Sequence, residues 1–345
     1  MNLSKVELAW PGGDKPGDLN FNFGVSGDIK DLISATIKPF YCTNTTSIEI
    51  NALTPPKGIV GRYCLKSAGK EWFVRISSRI GHADLELELC DYLIEQGVSI
   101  NPILFHGLTR KWEGINYRID IRPLIRGRHF NGSKEDLANL TSTLKDTHNH
   151  LKNFHRRDEI KNIAEARYKK MAEAKSLIQD ALKNDSLEIF RDKAVWAMEH
   201  KKWLNDMIKN YDPFCQNLPE AQCLHGEVHP GNVIFSLENN KAILVDFEES
   251  VHTFAPPSWD LAFMFQRFCL QDNPPPPKIK ERLKTMTAAY GEAIPPLALM
   301  MRQISWFSMC VILDLVTNSL ISTPLSEYNK FISLEHQAES LNGTI

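Results

Sequence analysis

The sequence predicts an α+β protein: an antiparallel sheet with one inserted helix over about the first 126 residues, then a mostly helical remainder to residue 345. Three observations predict it. Short β-rich runs separated by turn compositions fill the first third of the chain. Hydrophobic spacing switches to a helical period after Ser133. A Gly- and Pro-containing loop with a short apolar strand behind it then interrupts the helical part.

Residues 1 to about 45 are rich in Gly, Pro, Asn and Asp and carry little periodicity, so an irregular extension of the first domain is expected there. Ser47–Leu53, Ile59–Leu65 and Glu71–Ser77 are strand-like runs separated by TPPKG and KSAGK, a spacing that suits an antiparallel meander. Alternation along the third run puts Phe73, Arg75 and Ser77 on one side and Trp72, Val74 and Ile76 on the other. Ala83–Gln96 follows, with Leu85, Leu89 and Leu93 four residues apart and Gly97 as a stop signal, which makes one amphipathic helix. If the Trp72 side packs on that helix, Arg75 faces a cleft. Pro102–Gly107 and Ile115–Ile125 read as two further strands ending in the turn Arg126-Gly127-Arg128, and the first domain closes at 126.

The second domain, 127 to 345, opens with helical patterns at Lys134–Phe154 and Glu159–Asn210, the latter broken at Lys183-Asn184-Asp185. Lys241–Asp246 (KAILVD) is a short apolar strand, and helices resume after the prolines at 274–277. The most apolar run, Leu297–Val316, contains Arg302, Gln303 and Asp314, which favours a buried helix over a membrane span. No internal repeat is evident.

With 43% hydrophobic and 24% charged residues and a net charge of −2, the composition is that of a globular protein without an overall basic field, so neither nucleic acid nor membrane is an expected partner. Seven scattered cysteines show no C-x-x-C spacing, and the N-terminus lacks the basic and apolar regions of a secretory signal. A cytoplasmic protein with reduced core thiols is expected.

The chemistry concentrates in Cys223–Phe235, CLHGEVHPGNVIF. Glu227 is followed five residues later by Asn232, and Asp246 comes fourteen residues after that, at the end of a strand hairpin. Phosphoryl transfer needs such a set: a carboxylate to orient an attacking hydroxyl and accept its proton, and an amide with a second carboxylate to hold Mg²⁺ against the phosphates. Protein kinases carry H-R-D-x-x-x-x-N followed by D-F-G, and here the strings are His225-Gly226-Glu227-x-x-x-x-Asn232 and Asp246-Phe247-Glu248. His225 and His229 flank Glu227 as H-x-E-x-H, but Gly226, Pro230 and Gly231 break any helix that would set two histidines on one zinc, and no P-C-x-x-C is present. No P-loop sequence occurs either. His148, His150 and His155 do not share one helix face and are expected to be solvated or core residues.

On these residues the chain resembles the aminoglycoside phosphotransferase and choline kinase family, whose loop usually runs H-G-D-x-H-x-x-N and whose metal motif begins D-F or D-W. Ser258-Trp259-Asp260-Leu261-Ala262 is similar to the family's W-D-L-A segment, and Leu144-Lys145-Asp146-Thr147-His148 fits its L-x-x-L-H helix end in part. The resemblance spans about residues 47 to 320. It implies a protein-kinase-like bilobal fold, ATP with GTP as the alternative nucleotide, Mg²⁺, and a small-molecule hydroxyl acceptor such as an aminoglycoside, an amino alcohol or a sugar. A monomer or homodimer is expected. It also implies roles: Glu227 as base, Asn232 and Asp246 on the metal, Arg75 on phosphate with Glu86 or Glu88 as its helix partner, and His225, His229 and Asp260 supporting the loop. Gly58, in the stretch Thr54–Gly61, falls where the family covers the phosphates, and Ile125 lies where adenine meets backbone. Glu248, Glu249 and Asp260 would suit a cationic acceptor.

The departure is Glu227, where the family has aspartate. The extra methylene moves the carboxylate by about 1 Å on a fixed backbone, a misplacement worth roughly a hundredfold in rate. Retention of Asn232, Asp246 and Asp260 favours an active kinase, and a nucleotide-binding regulator with weak catalysis is the alternative.

Overall fold

The computed structural model describes residues 25–41, 48–53, 59–67, 69–78, 81–104, 110–112, 114–210, 219–270 and 274–292, with the single positions 301, 304, 329 and 332. The chain divides into two compact units, residues 1–131 with 230–248, and residues 132–229 with 249–345.

In the first unit, strands β1 (Glu49–Ala52), β2 (Gly61–Ser67), β3 (Lys70–Ser77), β4 (Arg110–Trp112) and β5 (Ile115–Pro123) form one antiparallel sheet in the order β1-β2-β3-β5-β4. Its β3 register sets Arg75 opposite Arg62 on β2 and opposite Asp120 on β5. Four of the five strands expected in the first 126 residues are present to within two residues. The run expected as a strand from Pro102 is not one over its described residues, 102–104, and 105–109 lie outside them.

The segment before residue 45 was expected to be irregular, but it holds a helix, α1 (Gly27–Tyr41). Its Ile29 and Ile33 are buried with Ile50, Ala52, Tyr63, Leu65, Trp72, Val74, Ile76, Ile119 and Ile121. The first 25 residues, dense in Gly, Asp and Pro, mask the Ile29-Leu32-Ile33-Thr36 spacing that follows them. The side of β3 bearing Trp72, Val74 and Ile76 thus packs on α1, not on α2 (Ala83–Glu95). Instead α2 reaches the opposite side of the sheet, where Glu86 meets Arg118 and Arg122 of β5.

The first unit also takes in a later hairpin. Strand β6 (Gly127–Arg128) pairs with β8 (Val233–Ser236), which pairs with β9 (Ala242–Leu244), all antiparallel. With this pairing Pro230–Glu248 groups with residues 1–131 in the first unit. Gly127 is required at the crossing, because a Cβ there would lie 2.2 Å from Ile234 Cγ2 and 2.8 Å from the Phe235 carbonyl oxygen.

The second unit is helical. Helix α3 (Lys134–Leu151) starts at Ser133, whose hydroxyl accepts from Asp136 N, and packs against α8 (Pro276–Tyr290). Helix α4 (Arg157–Lys183) ends at Asn184, where the sequence signalled a break, and is followed by a 3₁₀ turn at Leu187–Lys193 and the helices α5 (Ala194–Glu199) and α6 (Lys201–Asn210). A two-stranded ribbon of β7 (Gln222–Cys223) and β10 (Phe254–Ala255) precedes α7 (Ser258–Met264). Leu297–Val316 lies outside the described residues except for Met301 and Ile304, both buried. No described helix is long and apolar enough to cross a membrane.

Cys64, Cys90, Cys223 and Cys269 are buried free thiols, and burial pushes Cys64 up to about 11 and Cys223 and Cys269 up to about 12. They are packing residues, with thiolate too scarce at neutral pH for nucleophilic or redox work. Cys42, Cys215 and Cys310 lie outside the described residues.

Candidate active site

The first unit holds the residues expected at the metal and phosphates. The β8–β9 register pairs Val233 with Leu244, and Val245 N then donates to Asn232 O at 3.0 Å. Asn232, only 1% exposed, is thereby tied to the residue immediately before Asp246. His129 Nδ1 donates to Pro230 O at 3.0 Å and anchors the same turn. Asp246 has φ +66, a left-handed conformation that aspartate tolerates better than most residues. Such conformations cluster at functional sites. Arg75 Nη1 donates to Asp246 Oδ1 at 2.8 Å, and Arg75 Nη2 donates to Glu248 Oε2. Burial opposes the charge on Arg75, but Asp246 and then Glu248 more than offset it and raise the guanidinium above its ordinary value.

The expected pairing of Arg75 with the α2 glutamate does not form. Glu86 Oε1 accepts from Arg122 at 3.1 Å and Glu86 Oε2 lies 2.9 Å from Arg118, so both its oxygens are taken, and Glu88 is not the partner of Arg75 either. Arg118, Asp120 and Arg122 alternate with isoleucines on β5 and so share the α2 side of the sheet. The R-I-D-I-R string was the signal available for this cluster. Burial pushes the Glu86 carboxyl above its ordinary range, against the pull of Arg122 and Arg118.

Ile125 packs with Ile234, Ile243 and Val245, while its neighbour Leu124 packs with Leu53, Cys64 and Phe73. Two small apolar clusters therefore meet at the Leu124–Ile125 step. Gly58, with most of the stretch Thr54–Gly61, lies outside the described residues.

The second unit holds the other part of the loop. Asp260, at 0% exposure, accepts from His225 N at 2.8 Å and Gly226 N at 2.9 Å, and its Oδ2 lies 3.0 Å from His148 Nε2. His148 Nδ1 is 2.9 Å from the Tyr290 hydroxyl. The Asp260 carboxylate can only accept, so His148 Nε2 donates to it, and Nδ1 of the neutral ring accepts from the Tyr290 hydroxyl, whose pKa burial raises above its ordinary value. Gln222 Nε2 donates to the His148 carbonyl at 2.9 Å, and the Ser250 hydroxyl donates to the His225 carbonyl at 2.9 Å. His148 is the core histidine that was one of the two expectations, and it also links α8 to the loop.

Gly226 has φ +89, and a Cβ on it would lie 2.6 Å from Thr253 Oγ1 and 3.0 Å from Glu249 O. Replacing Gly226 by Ala is expected to destabilise the protein by at least about 2 kcal/mol, combining left-handed strain with the clash. A thermal midpoint within experimental error of the native one would refute this.

Glu227 follows with a side chain 46% exposed, and His229 Nε2 stands 3.8 Å from its Oε1. Glu248 and Glu249, expected to present bare carboxylates to a cationic acceptor, are engaged by Arg75 and by Arg167 of α4 respectively. Asp260, the third, is consumed by the loop amides. The arginines responsible are distant in sequence, which is why composition near the loop misled. Among the described residues no group of three or more His, Cys, Asp or Glu is placed to hold a metal ion. Mg²⁺ sites commonly use one or two carboxylates and complete their shell with water and substrate phosphates, so Asp246 and Asn232 fit a metal that arrives with nucleotide.

The geometry can be set beside known proteins. The model of the phosphotransferase enzyme family (APH) matches residues 57–294. A comparison with curated proteins finds no significant match. Among solved structures, spectinomycin phosphotransferase in complex with ADP and spectinomycin is similar at a TM-score of 0.54 and 16% identity, over 90% of this chain and 98% of that one. The GDP complex of an aminoglycoside 2'-phosphotransferase variant gives 0.54 and 15%, over 92% and 99%. Choline kinase from Streptococcus pneumoniae gives 0.50 and 13%, over 90% and 98%. At these identities the likeness is one of fold, a protein-kinase-like antiparallel sheet with a helical partner. The family match covers well over half of the chain, and the chain belongs to the phosphotransferase enzyme family.

Proposed function

We propose that this protein transfers the γ-phosphoryl group of ATP to a hydroxyl of a small molecule in a Mg²⁺-dependent reaction. The observation that carries the reading is Arg75 on Asp246 and Glu248, with Asn232 tied to the residue preceding Asp246. In this reading Asp246 and Asn232 hold Mg²⁺, which would neutralise charge developing on the transferred phosphoryl group. Arg75 moves from Asp246 to the phosphates when nucleotide binds. The apolar clusters at Leu124 and Ile125 flank the base. Glu227 orients the acceptor hydroxyl and takes its proton, and its exposure supports that role because a base must reach substrate. His225, His148 and Asp260 keep the loop backbone in place.

ATP is the proposed donor, with GTP as the second, since one similar structure is a GDP complex. The proposed acceptors are amine-bearing alcohols, aminoglycosides and sugars, the first two on the strength of the similar proteins named with spectinomycin and choline. With Glu248 and Glu249 engaged by arginines, acidic side chains no longer argue for a cationic acceptor.

The test is direct. Purified protein with Mg·ATP or Mg·GTP is incubated with a panel of such alcohols, and products are read by mass spectrometry. A phosphorylated product is expected. Nucleotide binding with no transfer to any acceptor, in the panel or in a metabolite extract, would overturn the proposal in favour of a nucleotide-binding regulator.

A further inference from the structure

We infer that Arg62 is a second cation for the phosphate chain of the nucleotide, acting beside Arg75. The inference rests on the nucleotide-binding reading above and adds a residue to it. In the β2–β3 register Arg62 is directly opposite Arg75, so the two guanidinium-bearing side chains stand on the same side of the sheet. Like charges placed directly opposite one another on antiparallel strands are destabilising. A sheet carries such a pair at a cost unless something anionic answers both.

Among the described residues, carboxylates are hydrogen-bonded to only one of the two. Arg75 holds Asp246 and Glu248, and Asp120, the residue opposite Arg75 on β5, is held by Arg118 Nε at 2.7 Å. Arg62 Nε is buried and makes no hydrogen bond. Burial, and then the charge of Arg75, pushes the Arg62 guanidinium below its ordinary value, an effect only partly countered by Asp246 and Glu248. When Asp246 is committed to a metal, two guanidiniums are left with one carboxylate, Glu248. A polyanion restores the balance, and the fork of an arginine matches phosphate oxygens.

Position along the strands agrees. The neighbouring row on this side of the sheet is Cys64 opposite Phe73, which packs with Leu124 beside the proposed base site. Residues two apart on a strand are about 6.7 Å apart. The row of Arg62 and Arg75 is therefore one pleat further from the base, in the direction a phosphate chain would extend. The occupant by chemistry is a nucleoside polyphosphate.

The test compares Mg·ATP, Mg·ADP and adenosine binding by calorimetry to the full chain and to Arg62→Met. Arg62→Met is expected to weaken ATP and ADP by about 10- to 100-fold, the range for one charge-assisted contact, while adenosine affinity stays the same. Its ATP affinity should also fall less steeply with added salt than that of the native protein. Equal loss for adenosine and ATP, or no loss for either, would overturn the inference. If Arg62→Met does not fold, Arg62→Gln is measured in the same way, and failure of both to fold would make Arg62 a structural residue and overturn it too. Should the native protein bind no nucleotide, the reading of the site fails first, and the inference with it. That outcome is visible before any variant is made.

Discussion

Replacing Glu227 by Gln should lower kcat by about a hundred- to ten-thousandfold, the usual worth of a positioned general base, and leave nucleotide affinity essentially unchanged. The amide keeps the length and polarity of the side chain and removes only its ability to take a proton. Because the Glu227 side chain is nearly half exposed and Gln is its isostere, the substitution should not disturb packing, and the thermal midpoint should move little. Steady-state kinetics with a phosphorylated acceptor from the panel checks this. A kcat within threefold of native would remove Glu227 from the mechanism. The complementary substitution, Glu227→Asp, shortens the reach of the carboxylate by one methylene and is expected to cost about a hundredfold in kcat, because the loop is braced on its amino side by Asp260 and by the close seating of Gly226 and cannot follow a shorter side chain. A rise in rate would say the reverse: that the native site is detuned relative to aspartate-bearing members of the family.

The second large effect is expected at Asp246. Asn tolerates the left-handed conformation as Asp does, so Asp246→Asn changes charge without straining the backbone at φ +66. It removes the carboxylate that would hold the metal and one of the two partners of Arg75. Loss of a metal that stabilises transition-state charge by several kcal/mol corresponds to a fall in kcat/KM on the order of a thousandfold or more. Melting curves give a readout independent of turnover. In the native protein Mg²⁺ should increase the stabilisation given by ATP, and in Asp246→Asn that increment should vanish. An undiminished Mg²⁺ increment would place the metal elsewhere.

Much of the site was legible because its chemistry is local. Glu227, Asn232 and Asp246 fall within about twenty residues, and the turn and strand signals between them dictate a hairpin that returns the chain to Asn232. The strands β2, β3 and β5 and the helices α2, α3 and α4 were legible for the same reason, since alternation and helical spacing are properties of short windows. Helix α1 was lost only because a glycine- and proline-rich neighbour dominated its window.

Ion-pair partners were not legible. The choice of Arg118 and Arg122 over Arg75 as partners for Glu86, of Glu248 for Arg75, and of Arg167 for Glu249 depends on which side of a strand or helix each residue occupies after packing. Glu86 was expected to meet Arg75 because the family resemblance sets a helix glutamate on that cation. In the fold α2 lies on the same side of the sheet as Arg75, but Arg118 and Arg122 of β5 take both oxygens of Glu86. His148 was hidden similarly, because its value lies in Asp260 and Tyr290, each more than a hundred residues away.

The sequence alone determined which residue types the chemistry has at its disposal, the order of strands and helices that carry them, and the glutamate that sets this loop apart. Tertiary structure alone decided which charges are spent on one another and which remain for a ligand. Spacing along a chain specifies period and turn, whereas the pairing of charges is set by competition among all groups that packing brings within a few ångströms, and that competition has no signature in any short window of sequence.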